Sequence, residues 1–245
     1  ARASPATQAS RVASAPRGDR LIQRSPGADA RRLAWIPWLT LTLFTTHYTL
    51  PKFVTMVDLK SGGVNTVPKI GVLIIQLGTP DAPTPAAVRR YLREFLGDPR
   101  VVEEPRLKWW FVLNCFILPR RSGESAAKYA RIWDARTGSP LLHITRLQAE
   151  SLAAALPDDF VVRIGMRYGR PTIDQAVTEL VGLGVERMIV MPMYPQYSAA
   201  STATACDRLF QSLNRMRYMP SIRIVPPFFD HPAYIHAQAE LIRAE

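Results

Sequence analysis

Acidic residues are nearly missing from the first fifth of this chain, and cysteine is scarce throughout. Residues 1–55 carry eight basic side chains against Asp19 and Asp29, so about half of the +11 formal charge sits there. Two cysteines, Cys115 and Cys206, make no disulfide framework and fit a reducing compartment. Neither has a Cys or His at metal-ligand spacing, so no zinc or iron–sulfur site is expected, and both read as small buried apolar residues. Missing too are G-x-G-x-x-G, G-x-x-x-x-G-K-[ST] and G-x-S-x-G. Their absence argues against a dinucleotide site, a phosphate-cradling loop and a hydrolase elbow. No base-reading motif accompanies the positive charge, so nucleic acid is not an expected partner. Four histidines are present, at 47, 143, 231 and 236. His231 and His236 are five apart and would not share a helix face, so they make a poor metal pair.

What is present divides the chain. Residues 1–32 are rich in Ala, Ser, Pro and Arg and lack apolar periodicity, too little to offset the entropy of ordering. Residues 1–55 read as a disordered tail, a transit-like leader, or a spurious extension with the functional start at Met56. The apolar segment Leu33–Leu50 barely reaches spanning length and is weakened by Pro37, His47 and five threonines. Residues 56–68 read as a linker, 69–230 as an α/β domain, and 231–245 as the start of a helix connecting to a second half.

Within 69–230 the pattern is regular. Ile70–Gly78 is a continuous apolar run, as for a strand buried on both faces. Val88, Tyr91, Leu92, Phe95 and Leu96 recur at helical spacing. Further helices are expected over Ser125–Arg136 and Ile144–Leu156. Phe160–Gly169 reads as the second strand. Ile173, Ala176, Val177, Leu180 and Val181 mark a helix that Gly184 stops. Arg187–Met193 gives a third strand, Ala203–Met216 a helix, and Ser221–Phe228 a fourth strand. Strands alternating with helices predict βαβ units, hence a parallel, Rossmann-like sheet with helices on both faces.

Several stretches fit the wall of a pocket for a large planar anion. "RLKWWFVLNCFILP" is too short to span a membrane and too apolar for a free loop. A flap of this kind marks a hydrophobic groove or a membrane contact. Arg120 and Arg121 follow it at once and suit carboxylates. Arg167 and Tyr168 end the second strand, and "YPQYSAAST" (Tyr194–Thr202) follows the third, where open α/β sheets bind ligands. A packed helix with solvated arginines is the competing reading.

Four motifs in order carry a resemblance: "LGTPDAPTPAAVRRYLREFLGDPRVVEEPR", "ILPRRSGESAAKYARIWDARTGSPLL", "GMRYGRPTIDQAVTEL" and "MPMYPQYSAASTATACD". With them the chain resembles ferrochelatase, the lyase that inserts Fe²⁺ into protoporphyrin IX in haem synthesis, over roughly Ile70–Glu245. The resemblance implies two similar Rossmann-like halves with a porphyrin cleft between, of which this chain matches the first. It implies an apolar lip at Trp109–Leu118, which is also the segment expected to touch a membrane peripherally. Arg121, Tyr129 and Ser139 match the family's Arg, Tyr and Ser-Pro contacts to the ring. Arg167 and Tyr168 match a pair on the metal side, and Tyr197 faces the cleft; Tyr194 reads equally as packing.

Gln76 departs from the family's frequent Asn. The family's small-x-His-[Ser/Gly]-Leu-Pro and Asp-His-x-x-Glu motifs do not occur. The resemblance therefore implies no catalytic residue in this chain, no support for an iron–sulfur cluster, and iron as substrate only. A bacterial cytoplasmic protein, peripheral at the inner membrane, is the implied setting, with a mitochondrial one if residues 1–55 are a leader. A porphyrin-binding module without chelatase activity is the alternative.

Overall fold

The computed structural model describes residues 69–244. The expectations for residues 1–68, including the Leu33–Leu50 segment and the Met56 start, lie outside the described residues.

Strand β1 (Ile70–Thr79) is the centre of the fold. Val72, Leu73, Ile74 and Ile75 are all at 0% exposure, so side chains pointing to both faces are covered. Each such aliphatic side chain contributes about 2 kcal/mol through burial. β2 (Phe160–Gly169) pairs parallel on one side, with Ile74 opposite Ile164. β3 (Arg187–Pro192) pairs parallel on the other, with Ile74 opposite Met191, and β4 (Ser221–Ile224) pairs parallel with β3. The order β2-β1-β3-β4 is a doubly wound sheet.

Between β1 and β2 the chain forms α1 (Pro85–Leu96), α2 (Arg106–Val112), α3 (Leu118–Ile132) and α4 (Pro140–Ala155). α5 (Ile173–Gly182) joins β2 to β3, α6 (Thr204–Leu213) joins β3 to β4, and α7 (Pro232–Arg243) comes last. Leu73 and Ile75 pack with Ile173, Val177 and Leu180 of α5 and Leu209 and Leu213 of α6. Val72 and Ile74 pack on the opposite face with Leu152 of α4. Helices thus cover both faces, as the alternation of strand and helix predicts.

α5 starts where the sequence signals it. The Thr172 hydroxyl accepts from the Gln175 N–H, and the Gln175 side chain accepts from the Thr172 N–H. That reciprocal cap satisfies two otherwise orphaned amides. Glycine is required where β1 and β2 end. Gly78 has φ +111°, and a Cβ there would lie 1.7 Å from the Tyr168 carbonyl oxygen. Gly169 has φ +84°, with the Thr79 carbonyl oxygen 2.4 Å from an added Cβ. Two backbones meet here at a distance that side chains would forbid.

Three expectations are corrected. The segment before Ser125 is helical: α2 runs through a π-helical turn at Leu113–Ile117 directly into α3, which ends at Ile132 rather than at Arg136. Trp133 is extended because the chain then closes a small loop, in which Asp134 and Gly138 exchange backbone hydrogen bonds. Second, β4 stops at Ile224; Pro226 and Pro227 follow Val225 and carry no N–H for a ladder. Third, Cys115 is exposed on the lip and Cys206 is half-buried, so Cys115 is no core residue.

Candidate functional site

The carboxyl ends of β1, β2 and β3 carry two adjoining features: a buried polar knot and an open cleft. Asp98, just after α1, is the hub of the knot and is 7% exposed. Its Oδ2 accepts from the Arg167 guanidinium, from the Thr204 hydroxyl, and from the Tyr168 hydroxyl at 2.9 Å. Its Oδ1 accepts from the Arg100 N–H at 2.8 Å. Arg167 also donates through Nε to the Thr204 hydroxyl at 2.7 Å and its carbonyl at 3.0 Å. The guanidinium carbon sits 4.3 Å from the centre of the Tyr168 ring. Burial pushes the Asp98 carboxyl upward. The hydrogen bonds from Thr204, Arg100 and Tyr168, with the Arg167 charge, outweigh it and hold the group below its ordinary value.

Thr204 can reach Asp98 because a second π-helical turn, Ala199–Ala203, precedes α6 and lets the Ala203 N–H bond the Ser198 carbonyl. Such one-residue insertions in a helix often accompany functional sites. The knot ties β2 to the segment after α1 and to the first turn of α6, three elements distant in sequence.

An aromatic row continues from the knot. Tyr168 packs edge-on against Phe95 (5.1 Å between centres), Phe95 stacks on Tyr91 (6.1 Å), and Tyr91 packs edge-on against Tyr129 (6.3 Å). The Tyr91 hydroxyl donates to the Gly78 carbonyl at 3.3 Å. Burial raises the Tyr91, Tyr129 and Tyr168 hydroxyls, Tyr168 to about 12, so all three stay protonated donors.

The cleft, about 400 Å³, is lined by Thr79 at the end of β1, by Arg170 after β2, by Trp133 and Ser139 from the loop after α3, and by Arg146 of α4. The Asp134 carboxylate holds that loop by accepting the Thr137 and Arg136 amides at 2.7 and 2.8 Å, which depress its titration. Ser139 is 5% exposed and precedes α4 without capping it through its side chain.

On the far end of the same continuous helix stands the lip. Trp110, Phe111 and Phe116 are 62%, 53% and 56% exposed, and Leu107 is 85% exposed. Trp109 anchors the lip, its indole N–H donating to the Leu96 carbonyl at 2.6 Å.

The structure therefore distributes the six expected site residues. Arg167 and Tyr168 lie together in the knot, with Tyr168 fully buried. Tyr129 joins them through the aromatic row. Ser139 lines the cleft, Arg121 is exposed on α3, and Tyr197 is 62% exposed in the loop after β3. Tyr194 packs on the β1/α5 core, its buried hydroxyl without a partner among the described residues. Asp98 and Thr204 went unread. A carboxylate in "GDPR" looks like an ordinary solvated turn, and only the fold brings it to residues 70 and 106 positions away.

Among the described residues, no cluster of three or more His, Cys, Asp or Glu side chains is placed to hold a metal. Among them also, no helix is long and apolar enough to cross a membrane.

Comparison with known proteins fits this arrangement. The ferrochelatase family model matches residues 69–245. A curated ferrochelatase of Chromobacterium violaceum is 51% identical over 180 residues, covering 72% of this chain and 49% of that protein. The chain thus spans about half the length of that relative. On the match across all of its described residues, the chain belongs to the ferrochelatase family.

Proposed function

We propose that the protein to which this chain belongs inserts Fe²⁺ into protoporphyrin IX, a lyase step of haem synthesis, and that this chain supplies one wall of the porphyrin cleft. The observation that carries the reading is an exposed aromatic plate next to uncommitted cations. Trp110, Phe111 and Phe116 face outward, and Arg120 and Arg121, the next exposed cations, have no ion pair or hydrogen bond among the described residues. A flat apolar ring with carboxylate arms is the ligand class that complements both at once.

In this reading Arg121, Tyr129, Ser139 and Tyr197 hold the ring and its arms. Arg167 and Tyr168 act from behind that wall, because their polar atoms are engaged with Asp98 and Thr204. Holding the ring rigidly matters for metal insertion, since bending the macrocycle must be offset by contacts made elsewhere on it. Pyrrole deprotonation needs a general base, and this chain contributes none of the six residues to that role. Iron is substrate, not a resident cofactor. The same lip, rimmed by Arg106, Lys108, Arg120 and Arg121, suits peripheral contact with an anionic bilayer.

The test is anaerobic titration with protoporphyrin, followed by Fe²⁺, on the 245-residue chain and on the intact protein. The expected result is porphyrin fluorescence quenching with both and iron insertion by the intact protein alone. Turnover by the 245-residue chain would overturn the division of labour, and an intact protein that binds no porphyrin would overturn the function.

A further inference from the structure

Two ties join the root of the lip to the loop that carries Tyr197. The first is buried: the Asp98 carboxylate accepts from the Thr204 hydroxyl. The second lies on the surface. Arg100 donates to both carboxylate oxygens of Asp207, through Nε at 2.7 Å and Nη2 at 3.1 Å, across 107 positions of sequence. The two side chains are 46% and 40% exposed. An ion pair this open to solvent adds little to stability, and the buried tie beside it already holds the two segments together. Its geometry is nonetheless that of a rigid fork, in which two hydrogen bonds fix direction as well as distance.

Each end of the fork is set in a stiff base. On the lip side the Val101 and Val102 amides both donate to the Asp98 carbonyl at 3.0 Å, and the Arg100 amide donates to the Asp98 carboxylate. That closed turn presents Arg100 just ahead of α2. On the other side Asp207 lies in the first turn of α6, where its charge suits the helix dipole. The π-helical turn Ala199–Ala203 runs directly into α6. Ser198 closes that turn: its carbonyl accepts the Ala203 amide at 3.2 Å, and its hydroxyl meets that of Ser201 at 2.7 Å. On the strand side of Tyr197, the Pro195 carbonyl accepts the Phe228 amide at 2.9 Å. Tyr197 thus stands between two fixed points while its own side chain is open to solvent. It is also within electrostatic reach of Arg100, whose guanidinium is held charged chiefly by Asp207 and more weakly by Tyr197.

We infer that Arg100 and Asp207 are positioning residues for porphyrin binding, whose fork sets the distance and angle between Tyr197 and the aromatic lip. The inference rests on the porphyrin reading above and adds two residues that need not touch the ring. A rigid macrocycle cannot adapt to a misplaced contact, so its affinity depends on how well the two surfaces are ordered beforehand. Without the fork, the Asp98–Thr204 tie keeps the fold, but the Tyr197 loop gains freedom that binding must then remove.

The test uses the intact protein. Hydrogen–deuterium exchange without ligand comes first. In Arg100→Ala the amides of residues 197–203 should exchange several-fold faster, while those of β1 and the urea unfolding midpoint stay at wild-type values. Protoporphyrin titration follows. Arg100→Ala and Asp207→Ala should each weaken binding about fivefold, and the double variant should be no weaker than either, since each change removes the same contact. Arg100→Lys keeps the charge but loses the fork, and should fall between wild type and Arg100→Ala. In a Tyr197→Ala background, Arg100→Ala should weaken binding no further, which separates positioning from a general loss of structure.

Unchanged exchange at residues 197–203, additive losses in the double variant, or an undiminished loss in the Tyr197→Ala background would each overturn the inference. A clear fall in the unfolding midpoint of Arg100→Ala would do so too, because the pair would then be scaffold. A wild type that binds porphyrin no better than the variants overturns this inference alone. A wild type that binds none overturns the proposed function and this inference with it.

Discussion

The knot around Asp98 and the lip around Trp110 invert the usual arrangement in opposite ways. One buries charge: Asp98 and Arg167 have side chains only 4% and 14% exposed. The other exposes aromatic surface, with Trp110 and Phe116 more than half open to solvent. Buried charge and exposed apolar plates are the two departures that carry information, since scattered surface hydrophobics are ordinary. The difference between them is in what completes each. The knot is satisfied from within, by Thr204, Tyr168 and the Arg100 amide, and so stabilises the fold. The lip is anchored at Trp109, Leu113 and Leu118, and its outer face, beyond the edge-on contact of Phe111 with Phe116, is exposed among the described residues. The first region is a scaffold for binding, and the second is available for it.

That contrast breaks most sharply at Arg167. Arg167→Ala leaves the Asp98 carboxylate buried without its cation, a loss of about 3 kcal/mol or more. Urea unfolding should show the midpoint falling at unchanged slope. A loss below about 1 kcal/mol would mean that water reaches Asp98 and that the knot is no scaffold.

Asp98→Asn is next, at about 2 kcal/mol near neutral pH. Its signature is the pH dependence. Folding holds the Asp98 carboxyl below its ordinary value. Its contribution is therefore full above the unfolded value near about 4, and is lost as pH falls through the lower folded value. The gap between wild type and Asp98→Asn should accordingly narrow in acid. A gap constant from pH 7 to 3 would refute the charge argument. Tyr168→Phe follows at about 1.5 kcal/mol, the loss of one hydroxyl bonded to a carboxylate, with the Phe95 ring contact kept.

Much of the fold was legible because it is periodic. Strand readings of nine, ten and seven residues gave β1, β2 and β3 nearly to the residue, and the 3.6-residue spacing gave α1 and α5. Failures came where local signals conflict with register. Two π-helical turns add a residue that no spacing rule anticipates. The lip reads as an apolar flap and not as a helix because its apolar residues surround the helix instead of forming one stripe. For the site, Arg167 and Tyr168 were visible from their place at a strand end. Their partner Asp98 was not, since a single carboxylate acquires meaning only through contacts across 69 and 106 positions. The cleft arginines stayed hidden for the same reason: Arg146 and Arg170 look like surface charge until the sheet brings the two segments together.

The smallest effect on stability is expected at the lip, and it carries the comparison furthest. In Trp110→Ala with Phe116→Ala, two side chains that already face solvent are removed, so folding should change by no more than about 0.5 kcal/mol. Porphyrin affinity of the intact protein should fall by about tenfold or more, as aromatic surface buried against the ring is worth about 1.5 kcal/mol or more. Trp109→Phe supplies the opposite control. Removing its hydrogen bond to the Leu96 carbonyl costs about 1 kcal/mol of stability while leaving the outward plate in place. If the double variant unfolds as readily as Arg167→Ala, the lip is part of the core and the two regions do not divide scaffold from surface. If it folds normally and binds porphyrin undiminished, the exposed plate faces some other apolar surface, and an anionic bilayer becomes the partner to titrate.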